Sequence, residues 1–221
     1  MRLFLSSWKL GDAPELLDDL AGDARTAAVI GNALDALPGP ARRQATGREV
    51  ALLRDRGYQV TEVDLRDHFG DPAALAELLS GFGVVWVHGG NPFVLRLAMA
   101  LSGAGEILTD LLRRDAVVYA GWSAGACVLS PALHGLELVD DPADTVTAYD
   151  LPAIWEGLGL LDYAFVPHYR SPTAESEPIE RVVERYEREG VPYRAFRDGE
   201  VTIIDRSSPP QTENTIRRRI P

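Results

Sequence analysis

The sequence predicts an α/β protein with a mainly parallel central sheet, and two observations predict it. Short apolar, β-branched or aromatic runs alternate with longer segments of helical period along most of the chain. Glycine-rich turns stand where such runs give way to helical segments, at Gly89-Gly90 and at Gly121 and Gly125. That is the edge at which open α/β sheets build their sites.

The elements follow in chain order. Strands are expected at 2–6, 27–32, 59–64, 84–88, 117–120 and 164–166, and helices at 13–21, 41–56, 73–79, 93–104, 106–114, 124–129 and 177–189. The helix at 41–56 carries Ala45, Arg48 and Leu52 at helical spacing. Gly57 then sits where a left-handed cap is usual, so Tyr58 opens the next strand. Runs of the form Val84-Val85-Trp86-Val87 and Val117-Val118-Tyr119-Ala120 are apolar throughout, as buried strands are. Near the end, Tyr193-Arg194-Ala195-Phe196 and Val201-Thr202-Ile203-Ile204 flank a turn containing Asp198-Gly199, which predicts an antiparallel closing hairpin. Residues 1–205 form one catalytic-size domain, and 206–221, with Arg217-Arg218-Arg219, lacks apolar periodicity and reads as a solvated tail.

Length and composition bound the function. The 221 residues are 46% hydrophobic, enough for one sizeable core. With 22 basic and 33 acidic side chains the net charge is −11, which repels phosphate backbones and anionic lipid; neither nucleic acid nor a membrane is an expected partner. The single cysteine, Cys127, excludes an internal disulfide, and no apolar run is long enough for a secretory signal or a membrane span, so the expected compartment is the cytoplasm. A homo-oligomer is compatible with the sequence.

Three stretches carry chemistry. In Ala120-Gly121-Trp122-Ser123-Ala124-Gly125-Ala126 a buried-type strand runs through G-x-S-x-G into small, helix-compatible residues. A nucleophilic serine must project from a sharp turn, and flanking glycines admit neighbouring backbone that side chains would block. Ser123 is therefore the candidate nucleophile, with the Ala124 N–H a candidate oxyanion donor. The plainer reading is a small-residue turn where helix meets sheet. Next, His88-Gly89-Gly90-Asn91-Pro92 places an N–H-rich turn at a strand end, which makes Gly89 and Gly90 candidates for the other half of an oxyanion hole. The same turn also reads as a helix entry capped by Asn91, with Pro92 at the first helical position. Finally, Phe165-Val166-Pro167-His168-Tyr169-Arg170 ends a strand in a histidine suited to serve as general base. Between nucleophile and base lie Glu137, Asp140 and Asp141, any of which could orient the imidazole. Cys127, one turn beyond Ser123, reads as a buried apolar residue.

Together, the Gly121–Ala126 elbow, the Gly89-Gly90-Asn91 turn and the Pro167-His168-Tyr169 strand end resemble the peptidase E (aspartyl dipeptidase) family of serine peptidases, over most of the chain. The resemblance implies a three-layer sandwich similar to class I glutamine amidotransferases. It also implies a hydrolase without metal or other cofactor, acting on a small peptide substrate through an acyl-enzyme. By matching position it implies Ser123 as nucleophile, His168 as base, Asp140 as acid, and Gly90 with Ala124 as oxyanion donors. Asn91 and Arg170 are the candidate substrate contacts. The sequence departs from the family after His168, where the aspartyl dipeptidase has an arginine that reads the substrate's N-terminal aspartate. Here Arg170 and Arg181 are only nearby, so aspartyl specificity does not carry over. An α/β-hydrolase esterase shares G-x-S-x-G and the order Ser, acid, His, but His168 follows Ser123 by only 45 positions, too few for that fold's further strands. A binding protein on the same scaffold is the remaining alternative.

Overall fold

The computed structural model describes residues 1–206 and 212–216. Five parallel strands form the centre of a seven-stranded sheet: β1 (Arg2–Ser6), β2 (Thr26–Ile30), β3 (Gln59–Glu62), β4 (Val84–Val87) and β5 (Val118–Trp122). Two antiparallel strands, β8 (Val201–Asp205) and β9 (Thr212–Ile216), extend it to the order β3-β2-β4-β5-β1-β8-β9. A separate parallel pair joins β6 (Ala164–Val166) to β7 (Tyr193–Ala195).

Residues of the central strands alternate strictly between the two faces, as the period of two requires. Leu3, Leu5, Val85, Val87 and Tyr119 enter one apolar cluster, built with α3 (Pro72–Ser80), α4 (Pro92–Ser102), α5 (Ala104–Arg113) and α6 (Ala124–Cys127). Phe4, Val84, Trp86, Val118, Ala120 and Trp122 enter the opposite cluster, with Leu17 and Ala21 of α1 (Glu15–Ala21) and Leu53 of α2 (Gly39–Asp55). The result is an α/β/α sandwich whose strands are apolar on both faces because helices cover both. A smaller cluster packs Ile179, Val182, Val183 and Tyr186 of α8 (Ser176–Glu189) against Ala164 and Val166 of β6.

The expected strands and helices are found, with ends shifted by a few residues. Two expectations are corrected. The closing hairpin is absent: β7 pairs in parallel with β6, and β8 pairs antiparallel with β1 on one side and β9 on the other. Asp198-Gly199 is therefore a crossover between two sheets, and it delivers Asp198 to the strand ends. The tail, too, is in part structured, since β9 pairs with β8 through residues 212–216, while Arg217, Arg218 and Arg219 lie outside the described residues. The sequence reading missed α7 (Asp144–Tyr149), six residues with no apolar stripe of their own. Among the described residues no single helix is long and apolar enough to cross a membrane.

Candidate active site

The carboxyl ends of β1, β4 and β5 meet at the site. Ser123 follows β5 with φ of 47° and ψ of −117°, a strained conformation for a residue with a side chain. The surrounding bonds hold it there. Its N–H donates to Ser6 O at 3.1 Å, and its carbonyl accepts from Ala126 and Cys127 N–H at 2.8 and 2.9 Å. The flanking glycines have the expected reason. A Cβ on Gly125 would strike the backbone oxygen of Val87, and one on Gly89 would strike the Trp122 ring. The elbow and the Gly89-Gly90 turn are pressed together, and only glycine permits that contact.

His168 ends the strand extension after β6, also at positive φ, 60°. Its ring is buried and lies between two partners: Nδ1 is 2.7 Å from Asp198 Oδ1, and Nε2 is 3.1 Å from Ser123 Oγ. A carboxylate only accepts, so Nδ1 carries the proton, and Nε2 of the neutral ring accepts from the serine hydroxyl. Burial alone would push the Asp198 carboxyl up. Hydrogen bonds from His168 and Ser7, with the charge of His168, overrule it and hold Asp198 below its ordinary range. Glu175 Oε2 lies 3.5 Å from Nε2 on the open side, and Trp8 packs edge-on against both His168 and Trp122, with ring centroids 5.9 and 4.9 Å away.

The structure brings Ser123 and His168 together, and the carboxylate it places on the imidazole is that of Asp198, where Asp140 was expected. Asp140 is mostly buried near His168, yet it makes no hydrogen bond to the imidazole, whose Nδ1 is taken by Asp198. Burial, with Glu175 and Asp144 nearby, pushes the Asp140 carboxyl up to about 7, while His168 pulls the other way. A triad acid must be ionised and bonded to the ring, and Asp198 meets both conditions. Of the other two candidates, Glu137 is engaged with Gly135 N–H and Arg185, and Asp141 caps Ala143 N–H. Asp198 was hidden because Asp-Gly is the commonest sign of a tight turn, and only the sheet crossover shows where that turn goes.

Asn91 caps its helix, as the second of its two readings had it. Its Oδ1 accepts from Phe93 and Val94 N–H at 2.9 and 3.3 Å, capping α4, while Nδ2 donates to Asp141 O at 2.8 Å and Asp144 Oδ2 at 3.1 Å. The amide is occupied at both ends, so it pins the segment carrying Asp140 and α7 beside the site rather than presenting itself to a ligand. Arg170 is exposed, and its guanidinium lies 4.9 Å over the Tyr169 ring. Gly90 has φ of 130°, and a Cβ there would meet Ala33 O at 2.8 Å. Among the described residues the amides of Gly90 and Ala124 donate to no protein acceptor, unlike those of Asn91, which bonds Ala33 O, and Ser123.

Two further groups near the site were not singled out as a pair. His88 Nδ1 donates to Gly89 O at 2.6 Å, its Nε2 lies 3.9 Å from the buried Glu49, and burial pushes its imidazole down against the pull of Glu49. Cys127 is fully buried, which raises its thiol well above the ordinary range and matches the expectation of an inert apolar residue. Among the described residues no group of three or more His, Cys, Asp or Glu side chains could hold a metal ion.

The family model described as Peptidase family S51 matches residues 14–208. A solved structure titled "Putative Peptidase E Protein", from Listeria monocytogenes EGD-e, superposes with a TM-score of 0.74 at 22% identity, covering 98% of each chain. A peptidase from an acI-B1 Actinobacterium gives a TM-score of 0.66 at 16% identity, covering 91% of this chain and 82% of the other. At these identities the likeness speaks for the fold. No curated protein matches the sequence.

Proposed function

The chain belongs to peptidase family S51, and from that premise we propose that it hydrolyses short peptides, in the manner of a dipeptidase, through Ser123, His168 and Asp198. The observation that carries the reading is the unbroken hydrogen-bonded line from Ser123 Oγ to His168 Nε2 and from His168 Nδ1 to Asp198.

The groups divide the work. His168 Nε2 takes the hydroxyl proton as Ser123 Oγ attacks the substrate carbonyl, and the charge that develops on the ring faces the ionised Asp198. The carbonyl oxygen becomes an oxyanion and is met by the amides of Gly90 and Ala124. As α6 is only four residues long, these two N–H groups rather than a helix dipole supply the stabilisation. His168 then returns the proton to the leaving amine. Water, deprotonated by the same imidazole, then attacks the acyl carbonyl, and His168 passes that proton to Ser123 Oγ as the acid product leaves.

The surroundings of Ser123 bear on the substrate's size and charge. Trp8 and Glu175 lie against the His168 ring, with Asp140 near it. The carboxyl groups of Asp144 and Glu175 both act on that of Asp140 there, which suits a cationic end of a substrate better than an acidic side chain. Arg170 is turned onto Tyr169, which gives no support to an N-terminal aspartate preference. The test is a cleavage screen of free and N-acetylated peptides of two to six residues, with Ser123→Ala as control. Cleavage of short free peptides that Ser123→Ala abolishes is expected; equal cleavage by the two proteins would overturn the assignment.

A further inference from the structure

The hydrogen bonds around the imidazole do not end at Asp198. Ser7, the residue after β1, is fully buried, and its Oγ lies 2.8 Å from Asp198 Oδ1, 2.8 Å from His168 N and 3.4 Å from Phe196 O. A hydroxyl has one proton to give. The His168 N–H can only donate, so Ser7 Oγ accepts there. Its own proton then goes to an acceptor, and the shorter, charge-assisted choice is the Asp198 carboxylate. We propose that Ser7 is a positioning residue of the active site, one oxygen that fixes the backbone of the base and the carboxylate of the acid together. The inference rests on the reading of Ser123, His168 and Asp198 as the peptidase machinery.

Independent features point the same way. His168 is held at φ of 60°, a conformation its side chain disfavours, and the acceptor that anchors its N–H is Ser7. The end of β1 touches every member of the site, since Ser6 O holds the Ser123 amide while Ser7 Oγ holds the other two. The Asp198 backbone is tied separately, its N–H donating to Ser171 Oγ at 2.8 Å. The Ser7 bond therefore acts on the carboxylate itself, and it is one of the contacts that keep that carboxyl ionised.

Removing the donor leaves more negative charge on Asp198 to face the imidazolium, so His168 should keep its second proton to higher pH. The other charges facing the ring are Glu175, 3.5 Å from Nε2, and Asp140; Lys9 lies behind Trp8, its Nζ 5.5 Å from that ring's centre. All three remain in a Ser7 variant, so a change reports on Ser7.

The experiment uses histidine-labelled wild type, Ser7→Ala and Ser7→Cys, the last a slightly larger side chain of the same shape that exchanges the hydroxyl for a weak donor. Nuclear magnetic resonance follows the His168 titration, and a fluorophosphonate probe reports the reactivity of Ser123. In Ser7→Ala the midpoint should rise by about 0.5–1 pH unit and labelling should slow by about 10- to 100-fold. Ser7→Cys should move in the same direction by less, and it decides the matter if Ser7→Ala does not fold. An unmoved His168 midpoint in a folded variant overturns the proposal. Absence of labelling in the wild type would instead count against the peptidase reading, and the titration would still judge Ser7.

Discussion

Replacing Asp198 with Asn keeps the size of the side chain and removes the charge that orders the imidazole. In the wild type the 2.7 Å contact from Nδ1 to Oδ1 requires the ring proton on Nδ1, which frees Nε2, 3.1 Å from Ser123 Oγ, to accept. An Asn amide at the same place can donate to Nδ1, which puts the proton on Nε2 and turns the base away from its task. It also withdraws the charge that stabilises the imidazolium. In a serine protease of unrelated fold the same exchange lowers turnover about 10⁴-fold, or ~5 kcal/mol. The Asp198 side chain is 20% exposed, so water offsets part of the loss and about 10³- to 10⁴-fold is expected. The assay is kcat/KM on the best peptide from the cleavage screen, with circular dichroism to show the fold intact. The comparator is Asp140→Asn, which makes no bond to the ring and should stay within about tenfold of wild type. Loss of activity in Asp140→Asn alone, with Asp198→Asn within tenfold of wild type, would refute the reasoning and restore the sequence-based expectation.

Asp140→Asn should also change stability in a pH-dependent way. The folded protein holds that carboxyl up at about 7 from an ordinary 3.8, so the native state binds the proton more tightly than the unfolded chain. That contribution is complete below the unfolded value and is lost as pH rises to 7. The variant should therefore be more stable than wild type at pH 8, by about 1–4 kcal/mol, and no more stable at pH 3; denaturant melts at the two pH values decide it. Arg42→Met should destabilise by no more than about 3–5 kcal/mol in urea, because Arg42 and Asp35 form a buried pair and Asp35 would be left with the more distant cation Arg66, 3.6 Å away. Asp64 is held well below the ordinary carboxylate range: burial opposes this, but Arg66, Asn32 and Arg42 prevail. Its contribution is present above the unfolded value and fades as acid protonates the folded carboxylate, so Asp64→Asn should cost stability at pH 7 but little at the lowest pH at which the protein folds. Gly125→Ala should cost about 1–3 kcal/mol and abolish hydrolysis, since its methyl group meets the Val87 backbone and pushes the elbow out of place.

The parts of the fold that were legible in the sequence are those set by local pattern. The parallel strands are apolar on both faces, so Val84–Val87 and Val118–Trp122 declare themselves, and Gly121 and Gly125 mark the elbow because no other residue fits. Ser123 and His168 were legible for the same reason, each standing where a strand run ends. Asp198 was not. Its role depends on β7 joining β6 and β8 joining β1, and pairing between distant strands leaves no mark in a window of ten residues. Local reading saw two strands and a turn, and it inferred the commonest way to join them. Ser7 was hidden differently: a single serine after a strand carries no pattern, and its importance lies in distances of 2.8 Å to groups more than 160 positions away. Asn91 was legible as the cap of α4, but its hold on Asp141 was not, because that partner lies 50 positions away in the chain.

Mass mapping of the fluorophosphonate adduct puts the central claim to its most direct trial. The account predicts a single adduct on the peptide containing Ser123, formed rapidly in the wild type and lost in His168→Ala. An adduct on any other residue, or one on Ser123 that forms as fast without the His168 imidazole, would contradict it.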